Sequence, residues 1–317
     1  MKYHVLYNPF AGNGTGEEGA KRLKMDGAEL KYHVLFNPFA GNGTGEEGAR
    51  KLKMDGAELV FHNVTRLNGY SSFLRSLAPE DGVILTGGDG TINYFINETA
   101  GLDLPNEILY YAVGTGNDFL NDLNKKVGEP PFSIKEYLRD LPTVTVNGKT
   151  RRFINGIGYG IDGYCCEVGD EQRMTSMYKP VNYTAIAIKG LLFHYKPTNA
   201  VITVDGKEHR FQKVWLAPTM LGRYYGGGMM VAPNQDRMNA ERTVTTSVMF
   251  GSGKLKTLIV FPSIFKGEHV KHTEMCQSFV GHEVTVKFDR PTPLQIDGET
   301  VHNVTEYSVT SKAPIHV

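Results

Sequence analysis

Five consecutive residues, Gly87-Gly88-Asp89-Gly90-Thr91, stand between the apolar run Gly82-Val83-Ile84-Leu85 and the helical pattern from Ile92 to Glu98. A glycine-rich turn in that position aims backbone amides and a helix N-terminus at an anion, and phosphate is the natural ligand. The glycines permit positive φ and close approach, while Asp89 adds a carboxylate where a metal or a hydroxyl needs one. A plain tight turn is the competing reading, but five residues of this kind seldom arise for that alone.

Two other segments invite chemistry. Gly43-Thr44-Gly45-Glu46-Glu47-Gly48 fits the Gly-x-Gly-x-x-Gly dinucleotide fingerprint after a strand and before a helix. That fingerprint wants an acid at the end of the second strand, where Asn63 and Thr65 stand instead, and hydride transfer would leave the later loops unexplained. His269-x-x-His272 with Cys276 has metal-like spacing, yet zinc wants four ligands, or three and water, and no second cluster follows. Solvated histidines beside Lys271 and Glu274 are the expectation.

The elements that must position these residues begin with a duplication. Lys2–Leu30 recurs as Lys31–Leu59, differing only where Tyr7, Lys21 and Arg22 become Phe36, Arg50 and Lys51. Two copies do not make a solenoid. Each reads as a strand, a glycine-rich turn, a short helix and the start of a second strand, and only the second copy runs on naturally through Val60 to Thr65. Residues 31–59 are therefore expected in the sheet and residues 1–30 as an appendage; the exchanged arrangement is the alternative.

Beyond the repeat, a helical stretch from Tyr70 to Leu77, the strand before Gly87, the helix after it and a strand from Ile108 to Val113 alternate. That pattern predicts a parallel sheet with helices on both faces. A helix is expected around Ile134 to Asp140, and then the texture changes. Asn147-Gly148 and Asp205-Gly206 each fall between alternating strands, a strong hairpin signal. Lys213–Ala217, Val244–Phe250, Glu283–Phe288 and Tyr307–Thr310 continue the β pattern. The fold class is thus an α/β N-terminal domain, residues 31–142, followed by a mainly β sandwich domain, residues 143–317. The apolar stretch Tyr183 to Tyr195 is expected to pack on the sheet, with a lipid-facing role as the alternative.

With these segments in place the chain resembles the superfamily of diacylglycerol kinases, sphingosine kinases and NAD kinases, whose nucleotide loop has the Gly87–Thr91 form, here continued by Asn93. Asn37-Pro38 followed by Gly41 and Gly43 looks like the family's first phosphate loop, and Thr65 matches a nucleotide-contacting threonine. Gly114-Thr115-Gly116-Asn117-Asp118-Phe119 is close to the lipid kinase form of the third loop. Gly158 to Asp162, Tyr224 to Met229 and Gln295 to Glu299 look like bacterial diacylglycerol kinase segments in the family's order. The resemblance covers nearly all of residues 31–317. It implies ATP and Mg²⁺ as cofactors, with Asp89 near the metal, and a lipid hydroxyl as acceptor, diacylglycerol first. It also implies that Asp297 or Glu299 accepts the hydroxyl proton, although Asp297-Gly298 by itself reads as a hairpin turn, and that the final strand returns to the first domain.

Two positions depart from the family. Tyr94 stands where these lipid kinases usually carry Glu, which puts activity or substrate choice in doubt. Met238-Asn239-Ala240-Glu241 replaces an acidic segment near a structural Mg²⁺ site, leaving Asp236 and Glu241 as substitute ligands. The other readings are a kinase acting on a sphingoid base, phosphatidylglycerol or NAD, and a nucleotide-binding regulator without turnover.

Composition bounds the rest. The chain has 317 residues with 34 basic and 34 acidic side chains, so no net field draws it to nucleic acid or to an anionic bilayer, and docking at a membrane would fall to local patches. Three cysteines, two of them the neighbours Cys165 and Cys166, do not form a disulfide framework. No leader pattern and no span-length apolar run is evident. A cytoplasmic protein, peripheral to the membrane that holds its lipid substrate, is the expectation, with a homodimer left open.

Overall fold

The computed structural model describes residues 30–113, 117–175, 186, 189–190 and 194–312. The first copy of the repeat, the Gly114 to Gly116 portion of the third loop and most of the Tyr183 to Tyr195 stretch lie outside them. The second copy supplies β1 (Leu30–Phe36), a one-turn helix (Ala40–Gly43), α1 (Gly45–Arg50) and the start of β2 (Ala57–Asn63). α2 (Tyr70–Arg75), β3 (Gly82–Gly87), α3 (Asp89–Glu98), β4 (Ile108–Ala112) and α4 (Asp118–Asp122) follow.

The first sheet has the order β2-β1-β3-β4-β5, parallel except for the short edge strand β5 (Phe132–Ser133). β3 is central and buried at every position, which is why it reads as an unbroken apolar run rather than an alternation. Alternate residues of β1 point to opposite layers. Val34 and Phe36 meet Ala49 and Leu52 on one face, and Leu35 joins Leu74, Ile92, Phe95 and Phe119 on the other. Burying each such side chain favours folding by roughly 1.5–3 kcal/mol.

The second sheet is built from β6 (Thr143–Val146), β7 (Lys149–Arg152), β8 (Gly156–Tyr159), β9 (Thr198–Val204), β10 (Lys207–Val214) and β11 (Thr219–Met220), then β14 (Val244–Met249), β15 (Cys276–Gly281), β16 (Glu283–Ile296) and β17 (Glu299–Thr310). All its pairings are antiparallel. A small hairpin of β12 (Tyr224–Tyr225) and β13 (Met229–Met230) stands apart. α5 (Ile161–Thr175) follows β8, and α6 (Lys254–Val260) runs into a 3-10 helix (Phe261–Lys266).

Both expected hairpins form with positive φ at the two central residues, Asn147 and Gly148 in one and Asp205 and Gly206 in the other. Asp297 and Gly298 make a third turn of the same kind between β16 and β17. The helix expected around Ile134 to Asp140 is instead a single 3-10 turn, Lys135–Leu138. Asp140 adopts positive φ and Pro142 follows, so the segment has no room for a longer helix. β17 pairs with β16 and β6, so among the described residues the last strand stays in the second sheet.

α4 joins the two sheets. Asp118 in its first turn accepts hydrogen bonds from the Gly227 and Gly228 amides at 2.9 and 2.7 Å. Asp122 at its end is buried between Arg223 and Arg237, with Nε atoms 2.8 and 2.5 Å from its oxygens. A cavity of about 390 Å³ opens beside this ion pair, lined by Tyr137, Pro233 and Asp236 among others, and not at the glycine turn.

Candidate active site

In a parallel sheet of order β2-β1-β3-β4 the connections leave β1 and β3 in opposite directions, so a crevice forms at the carboxyl ends of those two strands. Asn37 follows β1, Thr65 follows β2 and Gly87 ends β3, so three sequence-predicted loops open on one edge of the sheet. The first loop is tightly wound. Asn37 accepts the Phe39 amide on its side chain at 3.0 Å, and a side chain at Gly45 would meet the Asn37 carbonyl oxygen at 2.0 Å. Gly41 and Gly43 lie in the one-turn helix after Pro38, and Gly43 has φ of 90°. Thr65 is exposed, its hydroxyl donating to Asn63 at 2.8 Å.

The glycine turn is less open than a loop, because its second half already belongs to α3. Gly88 caps that helix, and Asp89, Gly90 and Thr91 form its first turn. A Cβ at Gly87 would lie 2.0 Å from the Thr91 hydroxyl, so only glycine lets the helix start there. Tyr110 and the Val113 amide donate to the Gly87 carbonyl at 2.9 and 3.0 Å, and Asn117 donates in turn to Tyr110. Asn117 also caps α4 by accepting the Leu120 amide.

Asp89 does not face outward. Its oxygens accept the Asp118 and Phe119 amides at 2.7 and 3.2 Å, so it holds the N-terminus of α4. Burial, with the Asp118 carboxylate as the next contributor, pushes Asp89 up to about 7 against the lowering effect of those amides. Asp118 is likewise raised by burial. Gly114 and Thr115 lie outside the described residues.

From the second sheet the Asp297-Gly298 turn reaches into this region. Asp297 is partly buried and accepts four hydrogen bonds, from the Ile154, Asn155 and Gly156 amides at 2.7, 2.9 and 3.0 Å and from the Asn93 side chain at 2.7 Å. Burial raises its carboxyl pKa, and these donors oppose the rise. Glu299, two residues on, is half exposed and takes a hydrogen bond from Arg151 at 2.5 Å. Arg151 also donates to Asn93 at 3.2 Å, closing the chain Glu299–Arg151–Asn93–Asp297. Asn97, one helical turn past Asn93, binds both backbone groups of Arg152. Sequence reasoning missed Arg151 and Asn97; two asparagines four apart on the helix after the glycine turn were the available signal.

Tyr94 takes no part in this network. It is exposed and packs its ring 5.6 Å from Tyr70. The other outlying candidates also stand apart. Asp236 accepts the Met238 amide at 2.9 Å, and Glu241 is exposed, with its backbone carbonyl accepting from His282. Among the described residues no group of three His, Cys, Asp or Glu side chains is arranged to hold a metal. His269, expected in solvent, is buried with Nε2 3.1 Å from the Val231 carbonyl, because its 3-10 turn, Glu268–Lys271, packs against β15 and the preceding 3-10 helix.

The chain matches the diacylglycerol kinase catalytic domain over residues 2–147 and the YegS C-terminal NAD kinase beta sandwich-like domain over residues 155–313. It belongs to the diacylglycerol kinase family of lipid kinases. A diacylglycerol kinase of Mycobacterium tuberculosis is 29% identical over 201 residues, 62% of this chain and 63% of that one. The match thus spans less than two thirds of that relative. A Bacillus subtilis diacylglycerol kinase is 27% identical over 69% of this chain and 71% of its own. A diacylglycerol kinase structure from Bacillus anthracis superimposes with a TM-score of 0.55 at 17% identity, covering 90% of this chain and 96% of that one. The fold of this family member, a parallel α/β sheet followed by an antiparallel one, is shared with that structure.

Proposed function

We propose that the protein transfers the γ-phosphoryl group of ATP to a lipid hydroxyl, with diacylglycerol as acceptor and phosphatidic acid as product. The observation that carries this reading is the arrangement at the Asp297 turn. One carboxylate is locked by four donors while its neighbour Glu299 stays reachable from solvent beside an arginine.

This division separates the two base candidates. Asp297 already uses its oxygens as acceptors, so it works as the anchor that seats the turn against α3. Glu299 is open to solvent, where an acceptor hydroxyl can reach it, and the hydrogen bond from Arg151 fixes its position. In the reaction the acceptor oxygen gives its proton to Glu299 as it bonds to the γ-phosphorus, and the bond from that phosphorus to the ADP oxygen breaks. The amides of the glycine turn and the first turn of α3 hold phosphate oxygens along the crevice.

Mg²⁺ fits the donor set without a three-residue protein cage, because such ions commonly take one or two carboxylates plus substrate phosphates. Each oxygen of Asp89 and Asp118 accepts one amide and keeps a second lone pair, unlike those of Asp297, which take two donors each. Asp89 and Asp118 would therefore hold the ion, which would neutralise charge on the phosphates.

The test is incubation of the full chain with labelled ATP, Mg²⁺ and a panel of dispersed lipids or NAD. Label is expected on diacylglycerol, and lost with Glu299→Gln. Bound ATP with label on no acceptor would sink the kinase reading in favour of a regulator, and label on NAD alone would move the chain to another branch.

A further inference from the structure

The amphipathic segment Lys254 to Lys266 turns an apolar stripe to solvent that the site does not use. Its inner face is conventional: Val260, Phe261 and Ile264 are buried in one cluster with Ile161, Trp215 and Tyr225. Its outer face carries Leu255 at 72% exposure, Ile259 at 71%, exposed Pro262 and Phe265 at 39%. Leu255, Ile259 and Pro262 follow the i, i+4, i+7 spacing that puts side chains in one line on a helix. Lys254 and Lys266 border that line, with Lys256 paired to Glu274 at 2.8 Å, and the segment itself holds no acid, although the whole chain is balanced at 34 basic and 34 acidic residues.

We propose that this face docks the protein onto an anionic bilayer, the apolar stripe entering the interface and the lysines meeting the lipid phosphates. The proposal deepens the reading above and rests on it for one point, that the acceptor lives in a membrane. Charge complementarity selects the bilayer. In a two-fold dimer the same patch faces itself, so the lysines would be set against each other, and four apolar side chains fall short of the roughly 800 Å² per partner of a stable interface. The face is also continuous with the site. The 3-10 helix packs on β13, with Gly267 against Met230 and Pro233, and Gly227 and Gly228 just before that strand hold Asp118.

The experiment is co-sedimentation of the full chain with vesicles of phosphatidylcholine alone or mixed with phosphatidylglycerol. The protein is expected to sediment with the mixed vesicles, to sediment less with phosphatidylcholine, and to be released by salt. Leu255→Ser with Ile259→Ser should weaken partition on the order of tenfold. Lys254→Gln and Lys266→Gln should each weaken it about fivefold. All these variants should still phosphorylate a short-chain diacylglycerol dispersed in detergent. Variants that sediment like the parent, or a parent that ignores mixed vesicles, would overturn the proposal. So would a dimer in sedimentation velocity that the serine pair abolishes, which would give the face to a second copy. Failure of every lipid acceptor in the labelled panel removes the kinase reading instead, and the vesicle result separates the two.

Discussion

Asp297 and Glu299 sit two residues apart, yet their surroundings assign them different work. The sequence presented both as base candidates, with a hairpin turn as the plain alternative for Asp297. Asp297 turns out to be a turn residue with φ of 47° and a partly buried anchor at once. Its four donors come from residues more than a hundred positions away in the chain, so no local pattern could reveal them. Glu299→Gln should lower kcat by about 10²-fold or more with little change in KM for ATP. Arg151→Ala should lower kcat about tenfold, because Glu299 loses the hydrogen bond that positions it and Asn93 loses a donor, and Arg151→Lys should restore part of that rate. An unchanged kcat in Arg151→Ala, with only the melting temperature lowered, would show that the arginine is merely structural.

At the scale of elements, strands and hairpins were legible where local chemistry decides them. Val83 to Leu85 is apolar because β3 is covered on both faces, and Asn147-Gly148 accepts the φ values that a two-residue hairpin demands. The 3-10 turn at Lys135 and the buried His269 were not legible, since packing partners distant in sequence decide both. α5 supplies a sharper case in its first turn. Asp162 there is fully buried near Tyr225 and Gln295, neither of its oxygens makes a well-formed hydrogen bond, and burial pushes it up to about 7. An acid raised on folding stabilises fully only below its unfolded value near 3.8 and loses that contribution as pH rises through about 7. Asp162→Asn should therefore raise stability on the order of 2–4 kcal/mol near pH 8, and the gain should shrink toward pH 4. Thermal unfolding across that range checks it.

For the molecule as a whole, two sheets with separate cores were readable from the change of texture near residue 142, but their joining was not. Asn93 and Asn97 on α3, both ends of α4 and the Asp297 turn each place polar groups of one sheet in the hydrogen-bond shell of the other. The second copy supplies β1, α1 and the start of β2, so deleting residues 2–29 should leave the melting temperature within a few degrees of the parent, a shift that costs about 1 kcal/mol or less. A large drop would place the first copy in the sheet.

The Asp297 turn carries a thermodynamic consequence. Its carboxylate takes three hydrogen bonds from amides leading into the second sheet and one from a helix of the first, so neither side can open without exposing or stranding a desolvated charge, a penalty of several kcal/mol. Two cores should then melt as one cooperative unit, with calorimetric and van't Hoff enthalpies equal, and Asn93→Ala should split that single endotherm into two.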